Sequence, residues 1–331
     1  MGNYLNNRKT IFFTLSLVIL TLLYSSTLHA PFNFDDEVVI KHETSNAFGT
    51  YKLGKEDGFT RIYPLQYRHL FYSSLIFNYS LGELRPFGYH LVNTSLHFFT
   101  SIVIFFIAFI TIKNGLSLNK KDALLIASIT ALFFSFNPVH SETVIYISAR
   151  AVGMSSFFYL SAFLSFILGN LCEQKPLSRF LLYFLSLTCF FASILSKETA
   201  LTFPIILLLY DVCFMRRSCW VPLKKRFLFY YLPLFSCGIF AIWNVLSLKS
   251  MTIHWWERID VEYGLKQIHI IGHAVRLILF PIGLTFDYDF PNIFFTTNTL
   301  FTPAFLIAVG IILIFLLFFP KTRSMLSFCT L

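Results

Sequence analysis

Long apolar runs separated by short polar breaks occupy most of this chain. A bilayer core of about 30 Å takes roughly 20 apolar residues as a helix, and runs of that order lie at residues 10–28, 90–112, 122–136, 143–170, 180–195, 199–215, 227–248 and 301–319. The first follows Arg8-Lys9 and has the outline of a signal peptide. Leu28 ahead of His29-Ala30 is a poor match to a small-residue cleavage site, so the run reads as an uncleaved first helix with its N-terminus inside. The turn Asn137-Pro138-Val139-His140-Ser141 divides two of the runs, because Pro138 ends one helix and Ser141 can cap the next.

Two segments break the pattern. Residues 31–89 form a long polar stretch placed outside, in which residues 62–79 carry aromatics at helical spacing and predict a helix lying in the membrane interface. Residues 266–284 are apolar overall but include Lys266, His269, His273 and Arg276, and are read as interfacial or re-entrant. The pattern predicts an all-α polytopic membrane protein: about eight spans, a long first extracytoplasmic loop, and a single transmembrane domain over residues 1–331.

Composition sharpens this picture. Of 331 residues, 56% are hydrophobic and only 13% charged, about half the charge of an ordinary soluble domain. That excludes a disordered chain or a fibrous repeat. The net charge of +9 is dispersed in short loops such as Lys120-Lys121, Arg216-Arg217 and Lys224-Lys225-Arg226, which set topology by being retained in the cytoplasm. A nucleic-acid partner is therefore not expected. The six cysteines include no C-x-x-C pair and predict neither a zinc site nor a disulfide framework.

Under this topology the uncommon polar residues converge on the outer face: Asp35, Asp36 and Glu37 after the first helix, Arg68 on the interfacial helix, and His90, Asn93 and His97 at the start of the second span. His140 and Glu142 follow in one turn, Lys197 and Glu198 in another, and Asp287 and Asp289 near the end. An acidic pair at a membrane surface can serve as general base toward a hydroxyl, or merely cap a helix. Arg150 lies eight residues after Glu142, so a continuous helix would carry it about 12 Å below the turn, where it binds a phosphate or forms an ion pair with Glu142 or Asp36. His90 and His97 are too far apart along a helix to share one zinc, and a bundle-facing polar stripe is the expected role. Lys197-Glu198 either caps the next helix or offers a lysine to a phosphate. The glycosylation sequons at Asn78 and Asn93 lie at or in apolar runs and are expected to stay unmodified.

Taken in order, Phe34-Asp35-Asp36, Tyr67-Arg68-x-Leu70, Gly88-Tyr89-His90-Leu91-Val92-Asn93 with His97, Asn137-Pro138-Val139-His140-x-Glu142, Ile147-Ser148-Ala149-Arg150, Ser196-Lys197-Glu198-Thr199, Pro204 with Leu209-Tyr210-Asp211, and Asp287-Tyr288-Asp289-Phe290-Pro291 form a series. Together they resemble the membrane part of the transmembrane-and-TPR O-mannosyltransferases and their bacterial relatives, within the GT-C glycosyltransferases. The resemblance implies a GT-C-like helical bundle. Such a bundle moves mannose or another hexose from a polyprenyl-phosphate donor to an acceptor hydroxyl, usually with inversion, on the extracytoplasmic face of a bacterial inner membrane or the ER membrane. It implies that Asp35 and Asp36 supply the base, that Arg150 and Lys197 face the donor phosphate, and that Arg68, His90, Asn93, His140, Glu142 and Glu198 support them. No cofactor is needed, although the acidic pair leaves room for a divalent metal, and the acceptor is a protein or glycan. Family members continue into further spans and TPR helices, so this chain is expected to be cut short at its C-terminus.

Two other classes stay open from the sequence. A transporter or flippase would line its path with Arg150 and the polar stripe, but no broken spans recur in matching halves. An inactive membrane scaffold would tolerate loss of both aspartates.

Overall fold

The computed structural model describes residues 23–36, 39–40, 68–172, 175–211, 214, 230–232, 234–236, 238–239 and 261–285. Among these the regular structure is helical throughout: α1 His69–Gly82, α2 Pro86–Ile110, α3 Lys120–Phe136, α4 Ser141–Ile145, α5 Arg150–Leu171, α6 Pro176–Ser196, α7 Phe203–Tyr210 and α8 Val261–Leu279. The predicted spans at 227–248 and 301–319, most of the run at 10–28, and Glu37, Asp287 and Asp289 fall largely or wholly outside the described residues.

Helix boundaries follow local chemistry. Pro86 and Pro176 open α2 and α6, where a missing N–H costs nothing. Asn119 caps α3 by accepting from the Asp122 amide at 2.9 Å, and Asn137 caps the 3-10 turn Pro138–His140 by accepting from Val139. Pro86–Gly115 (α2 with its terminal π turn), Arg150–Leu171 and Pro176–Ser196 are each long and apolar enough to cross a membrane. Lys120–Phe136 with Pro138–Ile145 meets the same standard as a pair bent by 47°. The chain is an all-α polytopic membrane protein.

The antiparallel hairpin α5/α6 is held by a seam of small residues. Ser155 faces Ser193, Ala162 faces Ser186, and Gly169 faces Tyr183, which places a small residue at every seventh position of α5. Ser193 Oγ donates to the Ser155 carbonyl at 2.7 Å and Ser186 Oγ to that of Ala162 at 2.6 Å. In lipid, where burial of apolar surface does not drive helices together, close approach and such bonds do. Beside the seam Phe163, Phe166, Phe190, Phe203, Tyr230 and Tyr231 form an aromatic core. Similarly, Ala123, Ala127 and Ala131 give α3 a flat buried face, where Ala127 and Ala131 pack with Phe105 of α2.

A Cβ at Gly169 would lie 2.8 Å from two ring atoms of Tyr183, whose hydroxyl is fixed by donating to Asn170 Oδ1. Gly169→Val is therefore expected to cost about 1–3 kcal/mol by overpacking and to lower the melting temperature in detergent. Gly153→Ala, where the new methyl makes ordinary contact with Thr143 at 3.5 Å, should leave it unchanged or raise it.

The predicted helix 143–170 is not continuous. α4 stops at Ile145, Tyr146 turns to φ −77°, ψ 115°, and α5 starts at Arg150. The reason is a competing acceptor: the amides of Ile147 and Ser148 point at the Asp36 carboxylate. Arg150 thus opens α5 and does not lie two turns down a helix from Glu142. Of the predicted interfacial helix over 62–79, residues 62–67 lie outside the described residues, and the described helix covers His69–Gly82.

By internal contacts the chain divides into Met1–Ser247 and Leu248–Leu331. The second unit contains α8, so the ambiguous segment is helical through Leu279 and leaves the helix at Phe280, followed by Gly283 with φ +74°.

Candidate functional site

The acidic pair sits in a short turn ahead of α1. The Asp36 amide donates to Asn33 O at 3.0 Å, the Asn33 amide lies 3.4 Å from Asp36 Oδ2, and between them Phe34 takes φ +53°, a conformation unfavourable for an aromatic residue. This turn separates the two carboxylates. Asp36 is 1% exposed: Oδ1 accepts from the Ser148 amide at 2.7 Å and the Ser148 hydroxyl at 2.6 Å, and Oδ2 accepts from the Ile147 amide at 3.3 Å. Asp35, one residue earlier, is exposed. It lies beside the Tyr146 phenol, which hydrogen-bonds with both Asp35 and Ser148; burial, more than the neighbouring carboxylates, raises that phenol above its ordinary pKa.

Directly beneath, Arg150 is wholly buried. Its Nε donates to Asn93 Oδ1 at 2.7 Å, Nη1 to Asn78 Oδ1 at 2.6 Å and to the Ser74 carbonyl and hydroxyl at 3.3 Å, and Nη2 to the Tyr89 carbonyl at 3.0 Å. Its guanidinium also lies over the Tyr89 ring. Among the described residues its hydrogen-bond partners are all uncharged oxygens, and neither Glu142 nor Asp36 forms an ion pair with it. Phosphate binding by Arg150 would require this cage to open. Asn78 and Asn93, the two sequon asparagines, are buried here as ligands of the arginine.

The polar stripe of α2 consists of three separate ties. His90 Nε2 is 3.2 Å from Ala30 O, Asn93 Nδ2 donates to Tyr146 O at 3.3 Å, and His97 Nε2 is 3.0 Å from Ser135 O. The His140 ring stacks obliquely on Phe134 and lies 5.4 Å from that of His97. Among the described residues no three histidine, cysteine or acidic side chains gather as a metal site would require.

The second charged group lies at the α6–α7 turn. Arg68 grips Glu198 with two bonds, Nε to Oε2 at 3.3 Å and Nη2 to Oε1 at 3.2 Å. Burial pushes the Glu198 carboxyl up, but this hydrogen bonding and the charges of Arg68 and Lys197 outweigh it and hold the group below its ordinary value. Lys197, half-buried, has its pKa lowered, first by burial and then by Arg68, against the opposing pull of Glu198 and Glu142. Its ammonium makes no close ion pair with a described residue. Around the aspartate turn and Arg150, Phe71 and Leu75 of α1 pack with Tyr89, Ile147 and Ala151.

The structure thus brings Asp35, Asp36, Asn93 and Arg150 around residues 146–150, and Arg68, Glu142, Lys197 and Glu198 into an ionic group. Tyr146 and Ser74 were missed by sequence reasoning. Tyr146 carried a faint signal, an aromatic in the break between Glu142 and Ser148.

Protein O-mannosyl-transferase TMTC3 of Mus musculus is 32% identical over 159 residues, 47% of this chain and 16% of its own length. TMTC3 of Homo sapiens is 28% identical over 224 residues, 63% of this chain and 22% of the relative. Xenopus laevis tmtc2 is 31% identical over 267 residues, 71% of this chain and 28% of the relative. The chain therefore spans less than a third of the length of these relatives. No family model matches it, and no solved structure does. By sequence, over the residues matched, the chain is similar to the TMTC family of protein O-mannosyl-transferases.

Proposed function

We propose that this chain carries the active face of a GT-C-type glycosyltransferase, which moves mannose from a polyprenyl-phosphate donor to a protein hydroxyl on the extracytoplasmic side of the membrane. The observation that carries the reading is the contrast between the two aspartates: one carboxylate exposed, the other buried and fully engaged. A general base must reach its substrate. Asp35 can, whereas Asp36 is occupied by the Ile147–Ser148 amides.

In this mechanism the acceptor hydroxyl gives its proton to Asp35 as its oxygen attacks C1 of the sugar. The bond from C1 to the phosphate oxygen breaks, configuration inverts, and polyprenyl phosphate leaves. Charge growing on that phosphate is met by a cation in place beforehand. Arg68 is already paired with Glu198, so Lys197 supplies the positive charge and Arg68 keeps the turn in position. The Tyr146 phenol, bonded to Asp35, orients the base. The support for this donor and this orientation is the family's name together with the clustering of acidic and polar groups at one end of the helices.

The test is transfer of labelled mannose from polyprenyl-phosphate mannose to protein in sealed, oriented membrane vesicles containing the chain. Transfer confined to the extracytoplasmic side supports the reading. Transfer from a nucleotide-sugar donor, or on the cytoplasmic side, sinks it. The pH profile gives a second check. Because Lys197 is held below the usual lysine range, kcat/KM for the donor should fall on the alkaline side before pH 10.5, as the ammonium loses its proton. Lys197→Met should remove that limb and raise donor KM about tenfold; an unchanged profile would exclude Lys197 from the phosphate.

A further inference from the structure

We infer that Asp36 and Arg150 are positioning residues: they lock the segment 146–150 from opposite sides, and the lock sets the direction of Asp35. The inference deepens the transferase reading and rests on it. Three residues of one short stretch carry the argument. Ile147 and Ser148 give their amides, and Ser148 its hydroxyl, to Asp36. Two residues on, Arg150 spreads its guanidinium over α1 through Ser74 and Asn78, and over α2 through Asn93 and Tyr89. Asn93 closes the loop by donating to Tyr146 O at 3.3 Å. The aspartate turn, α1, α2 and the α4–α5 break therefore form one polar unit, with Ile147 fully buried at its centre.

Among the described residues Asp35 is tied through its side chain to Tyr146. Its backbone is fixed between strained Phe34 and locked Asp36, and Tyr146, its side-chain neighbour, belongs to the same segment. Rotation of either Asp36 or residues 146–148 would carry Asp35 and Tyr146 apart. Misplacement of about 1 Å costs roughly 100-fold in rate when a reacting group must meet its partner.

Arg150→Lys separates this assignment from a phosphate ligand by chemistry. A donor phosphate that loses the bidentate fork for a point charge binds less tightly, which shows in KM, whereas a cage of five protein oxygens that loses the planar fork loosens the segment it holds, which shows in kcat. Arg150→Lys should therefore lower kcat at least tenfold with donor KM within twofold of wild type. Asp36→Asn should lower kcat about 100-fold, because the amide that replaces one carboxylate oxygen turns a donor toward a donor. Both are measured on the purified chain with polyprenyl-phosphate mannose. Hydrogen exchange gives a readout free of activity: Asp36→Asn should speed exchange in residues 145–150, and Arg150→Lys in both 145–150 and 31–40. A rise in donor KM above tenfold with kcat retained in Arg150→Lys overturns the assignment, as does unchanged exchange in both variants. If the wild type transfers no sugar, the transferase reading falls and the exchange arm alone decides the frame. If the wild type is active and neither variant lowers kcat, the frame falls and the transferase reading stands.

Discussion

Asp35→Asn is expected to reduce mannose transfer at least about 100-fold at equal protein levels, the usual range for losing a general base. Asparagine keeps the shape but cannot take the acceptor's proton. The side chain is exposed and Asp36 provides the anchorage of the turn, so melting temperature and hydrogen exchange should stay at wild-type values. That combination, a dead enzyme in an intact fold, distinguishes Asp35 from Asp36, whose asparagine variant should lose rate and local protection together. Tyr146→Phe should fall between, with about a tenfold loss, since it removes one bond from the base and leaves the carboxylate. Full activity in Asp35→Asn would transfer the base role elsewhere and leave the exposed carboxylate as a surface feature.

The largest effect on stability should come from Arg150→Met. The substitution removes a buried cation, which by itself relieves a desolvation penalty of several kcal/mol. Against that it strands Asn78 Oδ1, Asn93 Oδ1 and the Tyr89 carbonyl in a dry interior, at about 1–3 kcal/mol each. The stranded acceptors outnumber the single relieved charge, and a net loss of about 3 kcal/mol is expected, visible as a lower melting temperature in detergent. Because the loss comes from unmatched oxygens, Arg150→Met with Asn78→Leu and Asn93→Leu should recover much of it, a coupling that independent sites would not show. Additive losses across the triple variant would mean the cage is not a unit.

The spans were legible because a bilayer imposes a length and an apolar composition that a sequence cannot hide: residues 90–112 and 180–195 were read to within a few residues of α2 and α6. The break at 146–149 was not legible, since Ile145, Tyr146 and Ile147 continue an apolar run and only a carboxylate 111 residues earlier diverts their amides. The same distance concealed the difference between Asp35 and Asp36, which are identical in composition and adjacent in sequence. Arg150 stands out in the sequence by its cost, since a buried cation demands partners; that five neutral oxygens supply them depends on which faces of α1 and α2 meet, which composition does not reveal. The heptad of small residues Ser155, Ala162 and Gly169 was present in the sequence and marks the α5/α6 seam.

The partners of the central lock are made at widely separated times. Asp36 meets Ser148 across 112 residues, and Arg150 meets Asn78 across 72. At a synthesis rate of about 5–20 residues per second, the aspartate turn leaves the ribosome roughly 6–22 s before its partner. Until then Asp36 must remain in water, and Asn78 and Asn93 must keep other partners or stay out of the lipid. Membrane insertion of this protein therefore includes a closing step partway along the chain: the arrival of residues 147–150 fastens segments that have already been placed, and a ribosome pause just ahead of that point would leave every helix before it inserted and the aspartate turn unfastened.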